Sequence, residues 1–350
     1  MKPLLIVTGH NGFFGQTRKP WVSMDISKWV RVLEQRGLRV RLLECHQVVN
    51  RREPIRDSLV FYPFSQKRNR REYIFDMVED LANHGNILIP SPDFLRCHEN
   101  KGYQEMYRKT LGLKTLDSVY LSSLREVDSY PLDFPLVLKT TDGSNGKGVY
   151  LVRSRRDLER RVRRLEKQSL LVRLDLLRRR FFRRKKRYPD YPGYSNRKDY
   201  LEYRDYVRKE KNFILQEFIA GLEYDFRILA VFDRFYVMKR HNRRNDFRAS
   251  GSKRFDFSFE PDPGLLDFAH SVRSAFDTPF LSMDICPHRG SYSLLEFQAL
   301  HFGTSVISKN TGYHERVEGR WRFVPAKPVI EETLAEGLAR YIKTRYGQAG

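Results

Sequence analysis

Residues 283–298 read MDICPHRGSYSLLEFQ, and this stretch decides the fold because it carries two carboxylates on one predicted hairpin. Gly290 lies midway between Asp284 and Glu296. A turn there places these two side chains opposite each other on neighbouring strands, with Gln298 on the same face. Facing carboxylates repel unless a cation lies between them, and Mg²⁺ binds one or two carboxylates together with substrate phosphates. The hairpin therefore predicts a Mg²⁺ site, and the alternative is a solvent-facing pair neutralised by a nearby basic side chain.

A second segment with a phosphate-binding pattern lies upstream, at FPLVLKTTDGSNGKGVYLV. Two strand patterns flank the loop 142–148, whose three glycines allow backbone N–H groups to wrap around phosphate oxygens. Lys139 lies on the incoming strand and can reach the same phosphates. The segment predicts a phosphate-binding flap, and a flexible hairpin without a ligand is the alternative.

The first 95 residues alternate strand and helix patterns, which predicts a parallel, doubly wound sheet. Gly9, Gly12 and Gly15 follow the first strand and raise the alternative of a dinucleotide-binding domain. In such domains the glycines open directly into a helix whose N-terminus faces the pyrophosphate. Here the next helical pattern starts only near Met24, so we favour an ordinary strand–loop–helix connection. The second half of the chain reads as antiparallel α+β.

Five segments carry a family resemblance when they are taken in chain order. They are ENKGYQEMYRKTLGLKT, FPLVLKTTDGSNGKGV, ILQEFIAGLEYDFRI, MKRHNRRNDFRASGS and the hairpin above. Together they resemble the ATP-grasp superfamily, and especially its carboxylate–amine ligases that join amino acids and peptides. The resemblance covers roughly Pro90 to Ser308, apart from a basic insertion. It implies a mixed α/β and α+β chain with an ATP-grasp fold behind an N-terminal open α/β (pre-ATP-grasp) domain.

The resemblance also implies three domains. They are an N-terminal domain at 1–95, a small lid subdomain at 96–215 with the insertion at about 153–211, and a C-terminal subdomain with the metal site at 216–350.

Site residues follow from the same resemblance, motif by motif. The residues implied for ATP phosphates are Lys101, Lys139 and the flap residues Gly143, Ser144, Gly146 and Gly148. Those implied for the adenine are Glu217, Phe218 and Ile219, with Glu223 or Asp225 for the ribose. The cations implied at the reacting groups are Arg227, Lys239 and Arg248. The metal positions are Asp284, Glu296 and Gln298, where Gln298 replaces the Asn that is usual in the family.

The implied reaction is amide formation between a small-molecule carboxylate and an amine through an acyl phosphate, with ATP and Mg²⁺ as cofactors and Mn²⁺ as a substitute for Mg²⁺. Two alternatives remain open at this point. One keeps the fold but phosphorylates a hydroxyl, which makes the protein a kinase. The other is a non-enzymatic protein that reuses the fold to bind an anionic surface or nucleic acid.

The formal net charge of +22 is concentrated in the insertion. Residues 153–187 hold 17 Lys and Arg against four Asp and Glu, a net charge of +13. Apolar residues at helical spacing within this segment predict an amphipathic basic helix, which suits an anionic polymer, a membrane surface or nucleic acid. We expect Arg178 to Arg187 to dock an anionic partner. The alternative is that the apolar side of the insertion packs on the flap domain.

Charge and composition also bear on the acceptor and on the compartment. The basic charge suggests an anionic or membrane-associated acceptor such as a cell-surface glycan precursor. The three cysteines are far apart in sequence, and neither a signal peptide nor an apolar run of membrane-spanning length is evident. We therefore expect a cytoplasmic protein, peripheral at the inner face of the membrane.

Overall fold

A computed structural model describes most of the chain. The described residues are 2–15, 22–98, 100–113, 115–142, 146–182, 195–244, 246–248 and 251–347. The strands are β1 (Leu4–Thr8), β2 (Val40–Glu44), β3 (Leu59–Phe61), β4 (Ile87–Ile89), β5 (Ser118–Leu121), β6 (Leu136–Thr140), β7 (Val149–Val152), β8 (Phe213–Glu217), β9 (Tyr224–Val231), β10 (Arg234–His241), β11 (Phe255–Asp256), β12 (Phe280–His288), β13 (Ser291–Gln298), β14 (Gly312–Val317) and β15 (Arg320–Pro325). The helices are α1 (Ile26–Gln35), α2 (Cys45–Val49), α3 (Arg68–Asn83), α4 (Pro92–Cys97), α5 (Lys101–Thr110), α6 (Arg155–Leu165), α7 (Leu170–Phe181), α8 (Asn196–Tyr206), α9 (Pro263–Ala275), α10 (Ser305–Ser308) and α11 (Ile330–Tyr346).

The chain divides into two compact units. The larger unit contains Met1–Leu116, Asp142–Lys147 and Ile219–Gly350, and the smaller one contains Asp117–Thr141 and Gly148–Phe218. This division differs from the three predicted domains, because the N-terminal α/β layer and the C-terminal sheet fall in one unit. The smaller unit corresponds to most of the predicted lid, including the basic insertion.

The N-terminal part of the larger unit contains the predicted parallel sheet, in the order β2-β1-β3-β4. All five residues of β1 are buried because helices cover both faces of the sheet. Leu4 and Ile6 pack in one core with side chains of α1, whereas Leu5 and Val7 pack in a second core with side chains of α2 and α3. The prediction of alternating strands and helices is confirmed here.

The large antiparallel sheet of the same unit has the order β13-β12-β9-β10-β14-β15, and β11 pairs with β10. One face contributes Leu229 and Val231 to the core that contains α1 and α11. The opposite face contributes Ile228 and Ala230 to a core with α9. Apolar residues of both parities along β9 are therefore buried, and only one end of the sheet is left for polar chemistry.

The smaller unit is built on a four-stranded antiparallel sheet in the order β5-β8-β6-β7. Helix α6 packs on it through Leu158 and Val162, which are fully buried. The predicted basic helical segment is present, but as two separate helices, α6 and α7. The sequence reading missed α8, because its segment is polar and rich in tyrosine.

Other elements were also missed by the sequence reading. Helix α4 lies in a segment interpreted as a loop before α5, where Pro92 at the first helical position starts the turn. The pair β14–β15 and helix α11 lie beyond the last segment that carried the family resemblance. Within the described residues, no helix is both long and apolar enough to cross a membrane.

Gly337 marks the closest packing of α11 on the large sheet. A Cβ at this position would lie 2.4 Å from Val231 Cγ1. We expect Gly337→Leu to lower the free energy of unfolding by about 1–3 kcal/mol through overpacking, despite the better helix propensity of leucine. Lys343→Leu adds the same side chain at an exposed position of α11 and should leave stability nearly unchanged. Urea unfolding of both variants tests this, and an equal effect of the two would contradict it.

Candidate functional site

The polar end of the large sheet brings five charged residues onto one face. Asp284 on β12 lies opposite Glu296 on one side and opposite Arg227 on the other. Asp225 lies two residues before Arg227 on β9 and pairs with Arg240 on β10. Since paired residues and residues two apart share a face, all five side chains lie on the same side of four adjacent strands. The predicted pairing of Asp284 with Glu296 across the hairpin is confirmed.

Four of these five residues form a continuous row of alternating charge. Arg240 donates to both carboxylate oxygens of Asp225, each at 2.6 Å. The Arg227 guanidinium donates to the two oxygens of Asp284 at 2.8 and 2.9 Å. Arg240 Nη2 also lies 2.8 Å from Asp284 Oδ2, so one guanidinium links the two carboxylates. Paired geometries of this kind are the strong form of the charge-assisted hydrogen bond.

Burial makes the ionisation of this row a structural requirement. Asp284 is only 6% exposed, and burial alone would raise its pKa. The Arg227 and Arg240 guanidiniums outweigh that effect and hold the pKa of Asp284 below its usual value. Burial would likewise lower the pKa of Arg240, but the Asp284 and Asp225 carboxylates raise it instead. At Asp225 burial prevails over the Arg240 guanidinium, and the pKa of this carboxyl is raised, so the charges of the row depend on one another.

Glu296 differs from its neighbour across the hairpin. Its side chain is half-buried, and among the described residues no hydrogen bond or ion pair engages its carboxylate. The strand register shifts just before it: Asp284 faces Glu296, but Ile285 faces Leu294, so Leu295 is an extra residue in β13. Such a bulge changes the direction in which the next side chain points.

Arg108 holds this bulge and is a site residue that the sequence reading missed. It is 1% exposed and donates from α5 to the carbonyl oxygens of Leu294 at 2.8 Å and Leu295 at 3.1 Å. Glu105 on the same helix forms its ion pair. The only sign of this role in the sequence is that Arg108 occupies a position of α5 on the side of the helix that packs inward. We regard Arg108 as a positioning residue for Glu296.

The oxygen ligands at this end of the sheet suit a metal that is shared with a phosphate ligand rather than one held by protein alone. No cluster of three or more His, Cys, Asp or Glu residues that could hold a metal lies within the described parts of the chain. Both oxygens of Asp284 already accept guanidinium N–H groups. Glu296 offers an unengaged carboxylate, and Gln298 lies two residues further along the same strand. These donors fit Mg²⁺ that completes its shell with phosphate oxygens and water, and they do not fit an all-protein cage. The metal role of Asp284 stays a prediction.

Of the basic residues predicted to lie near the reacting groups, Lys239 is on the wrong face of the sheet. Lys239 pairs with Phe226 and lies on the opposite face of the sheet from Asp284, with its ammonium 3.9 Å from the centre of the Tyr224 ring. The structure thus does not bring Lys239 to the charged row, and the adjacent residue, Arg240, lies there instead. Lys101 is the buried first residue of α5.

Arg248 is associated with the glycine loop. Its Nε and Nη2 donate to the two Asp246 oxygens at 2.9 and 3.0 Å, and its Nη1 donates to the Gly146 carbonyl at 3.0 Å. Gly146 and Gly148 both have a φ of 76°, which only glycine adopts without strain. The predicted flap residues Gly143 and Ser144 lie outside the described residues.

The remaining predicted ligands fall near the division between the two units, each of which is described on its own. Lys139 lies on β6 in the smaller unit. Glu217 ends β8, and the division falls between Phe218 and Ile219. Of the two predicted ribose ligands, Asp225 is buried against Arg240, whereas Glu223 is exposed.

The N-terminal glycines follow β1 in a loop that Glu44 contacts. The N–H of Gly12 donates to Glu44 Oε1 at 3.1 Å, so the acid at the end of β2 caps the loop. The next described helix, α1, begins only at Ile26, with Asp25 as its N-cap. Among the described residues, one 3₁₀ turn, His10–Gly12, follows Gly9, and the residues directly after Gly15 lie outside the described part of the chain. The strand–loop–helix interpretation stays a prediction.

A cavity of about 120 Å³ lies beyond the carboxyl ends of β1, β2 and β3. Strand order reverses between β1 and β3, and open α/β sheets bind ligands at such switch points. Its polar lining includes His10, His46, Ser65, Arg70 and Tyr73. The cavity belongs to the larger unit and can hold a group of the size of a small side chain.

Two histidines pack nearby around the Phe64 ring, 3.9 Å from His98 and 5.6 Å from His301 between ring centres. Burial lowers the pKa of His301 to about 4 and holds the pKa of His98 well below its usual value. Both rings are therefore neutral at physiological pH. His301 Nε2 lies 2.7 Å from the Gln66 amide nitrogen.

Comparisons with known proteins identify the fold. No protein-family model matches the chain, and no curated protein matches it significantly. Among solved structures, an ATP-grasp RimK-domain protein from Sphaerobacter thermophilus is 11% identical and covers 97% of this chain and 98% of its own, with a TM-score of 0.52. D-cycloserine synthetase is 12% identical, covers 97% and 99%, and has a TM-score of 0.51. A Chryseobacterium gregarium RiPP-associated ATP-grasp ligase, solved with ADP, a leader and a core peptide, is 12% identical, covers 97% of both chains and has a TM-score of 0.53. The expected ATP-grasp fold is thereby confirmed.

The contrast between Asp284 and Glu296 gives a matched pair of variants on one rung of the hairpin. We expect Asp284→Asn to lower the free energy of unfolding by about 3–5 kcal/mol, because it leaves Arg227 without a carboxylate and buried Arg240 with only one of its two carboxylates. Glu296→Gln removes the same charge where no described group pairs with it and should cost less than about 1 kcal/mol. Urea unfolding at neutral pH distinguishes them, and equal costs would show that the charged row does not support the fold.

The buried histidines predict loss of stability in mild acid. Folded His301 stays neutral down to about pH 4, whereas the unfolded chain takes up this proton near 6.5. Stability from this group is therefore fully present above pH 6.5 and is lost as the pH falls toward 4. We expect His301→Gln to flatten the pH dependence of the free energy of unfolding in this window. An unchanged slope, measured by urea unfolding at several pH values, would contradict the prediction.

Proposed function

We propose that the protein is an ATP-dependent carboxylate–amine ligase that forms an amide through an acyl phosphate. The observation that carries this proposal is the charged row at the end of the large sheet, beside which the Glu296 carboxylate has no hydrogen bond or ion pair with any residue that the structure describes. The two arginines and two aspartates of the row balance each other's charge without Glu296. The Glu296 carboxylate would therefore be available for a cation that accompanies phosphates. The ATP-grasp fold, shared with a ligase solved with ADP, supports the same proposal.

Each part of the site has a role in this proposal. Glu296 and Gln298 would hold Mg²⁺, with Mn²⁺ as a substitute, and the metal would neutralise charge on the ATP phosphates. Lys101, Lys139 and the glycine loop around Gly146 would bind those phosphates, and Arg248 would fix the loop. The predicted adenine contacts at Glu217, Phe218 and Ile219 and the ribose contact at Glu223 complete the nucleotide site.

The proposed reaction has two steps. A carboxylate oxygen of the acceptor attacks the γ-phosphorus of ATP, and the bond to the bridging oxygen breaks, which releases ADP. The amine nitrogen then attacks the acyl carbon, phosphate leaves, and the nitrogen loses a proton as the amide forms. Phosphoryl transfer of this kind needs fixed positions and cations more than covalent help from the protein. Arg227, whose guanidinium donates to both oxygens of Asp284, would steady the reacting acid or phosphate.

The acceptor in this proposal is an acid. Its side chain would bind in the cavity beyond the carboxyl ends of β1, β2 and β3. Arg70 and the two histidines in that lining favour an anionic or hydrogen-bonding group. The excess of basic charge in the insertion favours an acceptor that is polyanionic or held at a membrane, such as a cell-surface glycan precursor. The amine would be an amino acid or a peptide.

A kinase that phosphorylates a hydroxyl would use the same nucleotide site. The two activities differ in product, since a kinase yields a phosphorylated compound and no amide. A binding protein without activity is disfavoured, because the chain keeps all four residues that the resemblance assigns to ATP phosphates and the metal, which are Lys101, Lys139, Asp284 and Glu296.

The test is ADP release in a screen of acid and amine pairs, with Mg²⁺ present or withheld. We expect release only with Mg²⁺ and both substrates, accompanied by an amide in the product. Glu296→Gln should lower the rate on the order of a hundredfold or more, because one metal ligand is lost while the fold remains. Glu53→Gln, an exposed change of the same kind, should have no effect. A phosphorylated product without an amide would establish the kinase instead, and near-normal activity of Glu296→Gln would remove this carboxylate from the site.

A further inference from the structure

Helix α7 presents an apolar stripe to solvent, on the side opposite the one that packs. Its half-buried residues are Val172, Asp175, Leu176 and Arg179. At about 100° per residue, these four fall on one side of the helix. The exposed residues Leu170, Leu174, Leu177 and Phe181 follow a spacing of 4, 3 and 4 and fall about 180° away. An amphipathic helix that covered a core would have the reverse arrangement.

Contacts between the half-buried side of α7 and helix α8 set the orientation of α7. Asp175 accepts hydrogen bonds from Arg178, from Arg179 and from the Tyr203 hydroxyl of α8, the last at 2.8 Å. The Arg179 guanidinium also lies over the Tyr203 ring at 3.5 Å. The stripe is therefore exposed while α7 keeps its contacts with α8.

Exposed apolar side chains are concentrated here. Between residues 170 and 182, six large apolar side chains are exposed, with Leu171 at 78% and Phe182 at 82%. Helix α6 has comparable apolar spacing, yet its Leu158 and Val162 are fully buried. A contiguous exposed patch of this kind marks an interaction surface rather than the background of single exposed residues.

We propose that the exposed stripe of α7 docks on an anionic lipid membrane. Transfer of leucine and phenylalanine side chains from water into an apolar environment is favourable. A lipid bilayer supplies an extended apolar phase for a whole stripe of them, whereas nucleic acid and acidic polysaccharides do not. Arg173 and Arg180 border one side of the stripe, and Arg178 borders the other. An apolar stripe flanked by arginines matches a helix that lies in the plane of an anionic bilayer surface.

A second copy of the chain fits this surface less well. Two stripes in contact would bring together two copies of residues 170–182, each with four arginines against one aspartate, and these like charges repel one another. Residues 183–194 contain further basic side chains but lie outside the described residues, and the proposal rests on 170–182 alone. It is independent of ATP and of the proposed ligase reaction.

The experiment is co-sedimentation of the full chain with vesicles of pure phosphatidylcholine or of equimolar phosphatidylcholine and phosphatidylglycerol. We expect binding to the anionic vesicles only. The variant with Leu174→Ser and Leu177→Ser keeps every charge and should bind at least roughly tenfold more weakly, since it withdraws apolar area from the lipid. Arg173→Gln with Arg180→Gln should also weaken binding and make it less sensitive to salt. Both variants change exposed residues, so their melting temperatures should match the wild type.

The matched control is Val317→Ser with Phe323→Ser, two exposed apolar residues on β14 and β15, which should bind vesicles as the wild type does. Three results would overturn the proposal. The first is wild-type binding by the serine variant of α7, which would leave charge alone as the cause. The second is binding to heparin but to neither vesicle. The third is light scattering that shows a dimer which the serine variant of α7 dissociates.

Discussion

The Asp284 carboxylate, held between the guanidiniums of Arg227 and Arg240, is the interaction on which the rest of the site depends. A charge this deeply buried is tolerated only with paired partners, so the residues of the row must be present together. Because they come from β9, β10 and β12, the row also fixes how the ends of these strands align. The same neutralisation leaves Glu296, on the adjacent strand, without a competing partner among the described residues.

Packing explains why the charged row lies at this end of the sheet. Further along β9, side chains of both parities are buried in cores on the two faces, and no polar site has room to form there. The bulge in β13 brings Glu296 opposite Asp284, and Arg108 stabilises the bulge by donating to two of its carbonyl oxygens. Buried arginine therefore serves twice near this site, once as counter-charge to the carboxylates and once as a support for the backbone.

Much of the fold was predictable from the sequence because its signals are local. The spacing of Asp284 and Glu296 about Gly290 predicted their pairing, which the structure reaches through a turn at Arg289 and Gly290 together with the one-residue bulge at Leu295, and strand–helix alternation predicted the parallel sheet. The arginine partners were not predictable in the same way, since they depend on the register between strands far apart in sequence. Lys239 and Arg240 illustrate the limit: adjacent residues on a strand point to opposite faces, and only the register of β10 against β9 reveals which one meets the carboxylates. For the same reason, the apolar spacing in the insertion predicted amphipathic helical structure but not that α6 would bury its apolar side chains and α7 would leave its stripe exposed.

The most direct measurement is a crystal structure with a non-hydrolysable ATP analogue and Mn²⁺, in which anomalous scattering locates the metal. We predict Mn²⁺ ligated by a Glu296 oxygen and by phosphate oxygens of the analogue, at roughly 2.0–2.3 Å as is usual for a small divalent cation. The Arg240 bridge between Asp225 and Asp284 should be intact in that structure. A metal that does not touch Glu296, or an analogue bound instead at the loop Gly9 to Gly15, would contradict the assignment of the charged row as the phosphate end of the site.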